Sequence, residues 1–370
     1  MKYIFRLSLF LGFFLISNIG QAQDKKVWTL QECIDYAIKN NINVKRSDLS
    51  IVQNRSALNQ SYADLAPSIN ARATHAYNFG QNEDPTTGII SDFESRTNTF
   101  GLSASVTLFN GFANYNTIKQ NSFLVEASVA ELIQAKNDIG LNVAQAYLQI
   151  IFNIELLEAA QLQLKSSKEQ ARRTKVMVEN GAMPIVEKYQ AEAQVATNET
   201  QVINRKNDLN LSKLQLMQLL QLPYDPAFDI EIPELEPDNI QPVVKDSDAL
   251  FEEALTTQPI VEAAALRIEA SEMGLAAAKG GRLPTLSAFA GVDTRYNNFI
   301  PIEFSDQIDN NLGQNIGFNL NVPIFNNFRV RQSIQVAKIN KERAKLNQVE
   351  TKNNLRQEVE QAYLSAQAAL

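Results

Sequence analysis

The stretch Thr99-Phe100-Gly101-Leu102-Ser103-Ala104-Ser105-Val106-Thr107-Leu108 alternates without a break. Side chains of an extended chain point to opposite faces in turn, so the run reads as a strand. Phe100, Leu102, Ala104, Val106 and Leu108 line one face; Thr99, Gly101, Ser103, Ser105 and Thr107 line the other. Three more runs have this pattern. Ile69, Ala71, Ala73, His75, Tyr77 and Phe79 alternate with Asn70, Arg72, Thr74 and Asn78. Leu286, Ala288, Ala290 and Val292 alternate with Ser287, Gly291 and Asp293, and Ile316, Phe318, Leu320, Val322 and Ile324 with Gly317, Asn319 and Asn321. Polar loops, Gly80 to Asn98 and the stretch before Ile316, join the runs into two hairpins, 67–109 and 284–325.

Each run is about ten residues long, the length and pattern of a strand that crosses a bilayer. Hairpins of a soluble antiparallel sheet also alternate. Here, however, the neighbouring sequence is polar helix and offers the apolar faces no packing partner. Aromatic residues gather near the run ends (Tyr77, Phe79, Phe100, Phe109, Tyr296, Phe325), as in a membrane interface belt. Leu102, Ala104, Val106, Phe318, Leu320 and Val322 are thus expected to face lipid. Four strands cannot close a membrane barrel, whose smallest forms have about eight, and open edges in lipid leave backbone groups without partners. Several copies must share one barrel. Two would make a packed plug of about eight strands; three would make about twelve and leave a lumen.

The chain is internally duplicated. Ala37, Val44, Leu49 and Pro67 are echoed by Ala254, Val261, Leu266 and Pro284 at one constant interval. Val106, Phe109, Asn110, Phe112, Ile118, Ala146, Tyr147 and Leu148 are echoed by Val322, Phe325, Asn326, Phe328, Ile334, Ala362, Tyr363 and Leu364 at an interval one residue shorter. The period is far too long for a solenoid. It predicts two similar halves, 23–246 and 247–370.

Helical sequence surrounds the hairpins. Thr29-Leu30-Gln31-Glu32 is a capping box, followed by Leu30, Cys33, Ile34, Ala37 and Ile38 at helical spacing. A break is expected at Asn40-Asn41, and Pro67 ends the helix. From about Asn114 to Asn180 there is no proline, and the composition is rich in Ala, Gln, Glu, Lys and Leu. That predicts one helix on the order of 100 Å long. Asn180-Gly181-Ala182-Met183-Pro184 then supplies a glycine stop and a proline start. A return helix, Ile185 to Leu220, completes a helical hairpin over 112–221. The connector 222–246 holds five prolines and one short strand candidate, Phe228 to Ile232.

Residues 1–22 read as a secretory signal: Lys2 and Arg6, an apolar Leu7 to Ile16, and small residues at Gly20 and Ala22. The formal net charge is −7, which argues against nucleic acid. Cys33 is the sole cysteine and His75 the sole histidine, so no disulfide or histidine metal cluster can form within the chain, and a lone histidine in an alternating strand run gives no sign of a Ser-His-Asp triad. Cys33 reads as a small buried apolar residue. The Asn and Asp residues of Asp306 to Asn311 lack calcium-loop spacing and read as a surface loop. Neither a catalytic residue nor a cofactor is implied.

The order helix, hairpin, very long helix, glycine tip, return helix, proline-rich connector and second copy resembles the TolC-like outer membrane factor family. The matching stretches are Leu30 to Ala37, Pro67 to Asn78, Val106 to Phe112, and Asn180 to Glu187 with Ala191-Glu192-Ala193. The resemblance implies a mainly α fold with β-hairpins. Long helical hairpins would form a periplasmic α-barrel, and four transmembrane strands per chain would join a shared trimeric β-barrel in the outer membrane. It implies a passive export duct of a tripartite efflux or type I secretion system, with a periplasmic adaptor (membrane fusion) protein and an inner-membrane transporter as partners. Gly181, Ala182, Met183 and Pro184 would form the periplasmic tip that the adaptor grips, and Glu187 would face the narrowed entrance. A solvated Glu187 in the first turn of the return helix is the other reading. The second half lacks a second glycine tip and return helix, so a fragment of a longer chain is expected. From another class, the pattern also fits a coiled-coil surface adhesin anchored by a small barrel. The cargo is not legible.

Overall fold

The computed structural model describes residues 27–83, 85–233 and 246–369. The signal segment lies outside the described residues, as do residues 234–245 of the connector. In chain order the elements are β1 (Val27–Trp28), α1 (Leu30–Asn40), α2 (Ile42–Ala63), β2 (Ser68–Glu83), β3 (Ile90–Asn110), α3 (Ala113–Glu179), α4 (Ile185–Leu219) and β4 (Asp229–Ile230). They continue with α5 (Ser247–Thr257), α6 (Pro259–Gly280), β5 (Thr285–Asn297), α7 (Phe304–Asn310), β6 (Gly313–Asn321) and α8 (Arg329–Ala369). No described helix is long and apolar enough to cross a membrane.

The described residues fall into two compact units: 27–41 with 139–233, and 42–138 with 246–369. These units do not follow the sequence repeats, because α3 contributes to both and the second unit draws on both halves of the chain.

In the first unit, α1 begins with the capping box. The Glu32 amide donates to Thr29 Oγ1 at 3.2 Å and the Thr29 amide to Glu32 Oε2 at 3.1 Å, which satisfies two otherwise unpaired donors of the helix start. Cys33, Ala37, Val143, Tyr147, Ile150, Leu216, Met217 and Leu220 are buried together with Trp28, Phe228 and Ile230. The short strands β1 and β4 pair in parallel, Val27 with Asp229 and Trp28 with Ile230. From α3, the Tyr147 hydroxyl reaches across this pair to the carbonyls of Trp28, at 3.1 Å, and Glu231. Lys213 holds β4 from α4, its Nζ bonded to the Phe228 carbonyl at 3.2 Å and to Asp229 Oδ1 at 3.0 Å. The break before α2 is fixed by Asn41, whose side-chain amide donates to the Leu219 carbonyl at 3.1 Å.

The second unit holds a four-stranded antiparallel sheet of order β2-β3-β5-β6. Beside it, α5, α6 and α8 bury the small cluster Ala254, Val261 and Leu355, flanked by Phe251, Ile260 and Val359. Salt bridges tie its helices together: Arg267 to Glu131 at 2.6 Å, Lys341 to Glu272 at 2.7 Å and Arg356 to Asp248 at 2.6 Å. Arg356 and Asp248 are exposed and the other two pairs partly so, and solvent leaves each pair a small contribution.

The expected hairpins are present, with corrections. The strands span 16, 21, 13 and 9 residues rather than about ten each. The stretch from Gly80 to Asn98 is mostly strand, not loop: Gly80 pairs with Phe93 and Tyr77 with Arg96. Its polar residues misled because a β-ladder is held by backbone bonds, and polar side chains such as Gln81 and Asp92 then bond across it, here at 3.0 Å. Phe100 consequently lies within β3 instead of at its end. Residues 306–310 belong to the short helix α7, not a loop. Val322, Ile324 and Phe325 follow β6 rather than extending it.

Candidate functional site

Registry places the apolar residues of all four strands on one face. Ile69 pairs with Ala104 and Ala71 with Leu102. Leu102 pairs in turn with Val292, Ala104 with Ala290 and Val106 with Ala288. Ala288 faces Phe318, Ala290 faces Ile316 and Leu286 faces Leu320. Directly opposed residues of an antiparallel pair share a face, so the five predicted lipid-facing residues that lie in strands stand on one surface. Val322, the sixth, lies just past the end of β6. Among the described residues much of this surface is open: Ile316 is 85% exposed and Phe318 72%. An uncovered apolar face of this extent marks an interaction with lipid or protein.

The opposite face carries Ser68, Asn70, Arg72, Thr74, Thr99, Ser103, Ser105, Asp293, Asn315 and Asn319. Phe289 is the exception, and its ring lies against Gly317, where an added Cβ would come within 2.7 Å of Cζ. Sequence alternation gave no sign of a register shift in β3 between Thr107 and Phe109, which sets Phe109 rather than Leu108 opposite Leu286. Such a bulge bends the strand where it leaves the sheet.

Both hairpins leave the sheet by the same turn. Gly111 and Phe112 have φ of 68° and 63°; Asn327 and Phe328 have φ of 54° and 61°. Two successive left-handed residues reverse the chain into α3 and α8. In each copy a T-shaped aromatic pair flanks the turn, Phe109 with Phe112 at 5.3 Å and Phe325 with Phe328 at 5.6 Å. A bulky residue at positive φ is uncommon, and its recurrence in both repeats is a built feature. The duplicated Phe-Asn-X-Phe motif was the available sequence signal for it.

The α3–α4 connection lies in the other unit. The Gly181 amide donates to the Val178 carbonyl at 3.0 Å and the Ala182 amide to the Met177 carbonyl at 2.8 Å. With Gly181 at φ 73°, this is a Schellman stop. Pro184 is the N-cap of α4, at φ −66°. Met183 and Glu187 are exposed, and the Glu187 amide bonds to the Pro184 carbonyl at 3.1 Å. Gly181, Ala182, Met183, Pro184 and Glu187 therefore share one tip. Burial pushes the Tyr147 hydroxyl in this unit up to about 12, with Cys33 and Glu231 adding to the effect.

Residues 33–221 and 250–370 match the outer membrane efflux protein family. The outer membrane protein TolC of Escherichia coli K12 is 24% identical over 76% of this chain and 56% of its own length. The outer membrane efflux protein BepC of Brucella suis is 22% identical over 92% of this chain and 70% of its own. Among solved structures, the outer membrane protein VceC of Vibrio cholerae superposes with a TM-score of 0.76 over 92% of this chain and 79% of its own, at 18% identity. The CmeC outer membrane channel of Campylobacter jejuni gives 0.75 over 87% and 67%, at 20% identity. The chain thus spans little more than half the length of TolC. With the family match running through both halves and the same fold in these channels, the chain belongs to the outer membrane efflux protein family.

Proposed function

We propose that this chain forms the outer membrane channel-tunnel of a tripartite efflux or type I secretion system. Three copies share one β-barrel, and the helices extend into the periplasm. The observation that carries this reading is the two-faced sheet with unpaired edges at β2 and β6. An open edge in lipid strands backbone donors and acceptors, and a second and third copy would pair them. The uncovered apolar face then meets lipid and the polar face lines the lumen. Transport is passive and uses no cofactor; a partner transporter of the inner membrane supplies energy through a periplasmic adaptor.

The tip residues Gly181, Ala182, Met183 and Pro184 fit adaptor docking, because the turn is hydrogen-bonded and exposed. Glu187 follows at the first turn of α4, and three copies would set three carboxylates around one axis, a ring that draws cations. Conductance of the full-length protein in planar bilayers tests the reading. Stable, ion-conducting steps are expected, with Glu187→Gln lowering block by multivalent cations added on the tip side. A protein that assembles but never conducts would contradict it.

A further inference from the structure

The polar face of the sheet carries three charged side chains among its described residues: Arg72, Asp293 and Arg295. The chain as a whole has a net charge of −7, yet this surface is net positive. Arg72 and Asp293 share one row of the sheet, and Arg295 lies next to that row. Arg72 pairs with Gly101, Gly101 with Asp293 and Asp293 with Gly313, the outermost row that all four strands share. Arg295 stands one row farther out, opposite Thr99.

The charges do not cancel within the sheet. Arg72 and Asp293 are two strand spacings apart, roughly 9–10 Å, with a glycine between them. Neither forms an ion pair with a described residue. Asp293 and Arg295 are two positions apart on one strand, about 7 Å, and neither forms an ion pair among the described residues. Arg72 is steadied instead by Thr74, whose Oγ1 accepts from Nε at 3.3 Å. Glycines on both sides of Asp293 leave an open hollow of about 540 Å³, whose lining on this face includes Arg72, Thr99, Ser103, Phe289, Asp293 and Asn315.

We propose that Arg72 and Arg295 form a positively charged belt at the outer end of the lumen, which attracts the anionic groups of passing solutes, carboxylates and phosphates, while Asp293 moderates it. This rests on the three-copy barrel proposed above, in which six guanidiniums would face three carboxylates around one axis. Rings of arginine favour anions in pores, and low-dielectric walls focus such a field.

The test uses the full-length protein in planar bilayers, with inorganic tripolyphosphate added to each side in turn. Block is expected from the side of the strand ends. The double variant Arg72→Gln/Arg295→Gln should raise the half-blocking concentration roughly tenfold, the equivalent of about 1.4 kcal/mol. Asp293→Asn should lower it. Arg72→Lys/Arg295→Lys keeps the charge and should keep the block, which separates charge from any structural role of the arginines. Conducting channels whose block is the same in the glutamine double variant as in the wild type would overturn the belt and leave the channel reading intact. Absence of any conducting channel would overturn both.

Discussion

The two strand-to-helix turns have the same backbone and different constraints. Gly111 is buried, and a Cβ there would lie 2.3 Å from the Gly280 carbonyl oxygen and 2.9 Å from Leu283 Cβ. Gly280 is held reciprocally: its own added Cβ would lie 2.5 Å from the Gly111 oxygen. Here two backbones touch, and only glycine fits at either point. Asn327, at the equivalent place in the second turn, is exposed. It adopts positive φ because asparagine tolerates that region. Duplication has therefore preserved the conformation, while the local neighbour decides the residue.

The sharpest way to break this comparison is to place alanine at each turn. Gly111→Ala should cost about 1–3 kcal/mol for overpacking and about 1–2 kcal/mol more for a Cβ in the left-handed region. Asn327→Ala should cost under about 1 kcal/mol, because only the backbone preference changes. Thermal unfolding of the two variants checks this, and equal losses would show that the turns are not distinguished by packing.

The repeats should behave alike where the sheet meets lipid. Leu320→Arg should cost about 2–4 kcal/mol if it sits near mid-membrane, and Ala104→Arg, its counterpart in the first repeat, a similar amount. Asn319→Arg, one residue away on the polar face, should be tolerated. Yield of folded protein in the outer membrane fraction reads this out. Damage at Asn319 with none at Leu320 would reverse the two faces.

A smaller contrast separates the paired tyrosines. Tyr147 is 2% exposed and bonds two carbonyls; Tyr363, its echo, is half-buried. Tyr147→Phe should cost about 1–2 kcal/mol through the Glu231 carbonyl left without its donor, and Tyr363→Phe close to nothing. Because burial raises the Tyr147 hydroxyl from 10 to about 12, the folded state retains a proton that the unfolded state has released between those values. Its contribution to stability should be complete below pH 10 and lost as pH rises toward 12. Unfolding followed over that range in wild type and Tyr147→Phe should show a steeper loss in the wild type.

Much of this architecture was legible in the sequence. Helix lengths followed from composition and proline placement, and α3 ends within a residue of Asn180 because Gly181 enforces the stop. The strand faces followed from strict alternation. What alternation could not give was extent: β2 and β3 run on through Gln81, Asp92 and Arg96, where neither face is apolar and backbone pairing, with polar side-chain bonds across it, holds the ladder. Nor could it reveal the bulge at Thr107, since one extra residue changes registry without changing composition. The contact between Gly111 and Gly280 joins residues far apart in the chain, so nothing local announced it. Arg72, Asp293 and Arg295 were visible as residues, but their proximity on one face depends on the pairing of β2, β3 and β5.

The central claim is that the sheet, open in one chain, is closed by copies of itself with the apolar face outward. Native mass spectrometry of the full-length protein extracted in mild detergent tests this most directly. The account predicts a folded species of three copies that persists on dilution. A stable, folded single copy would contradict it.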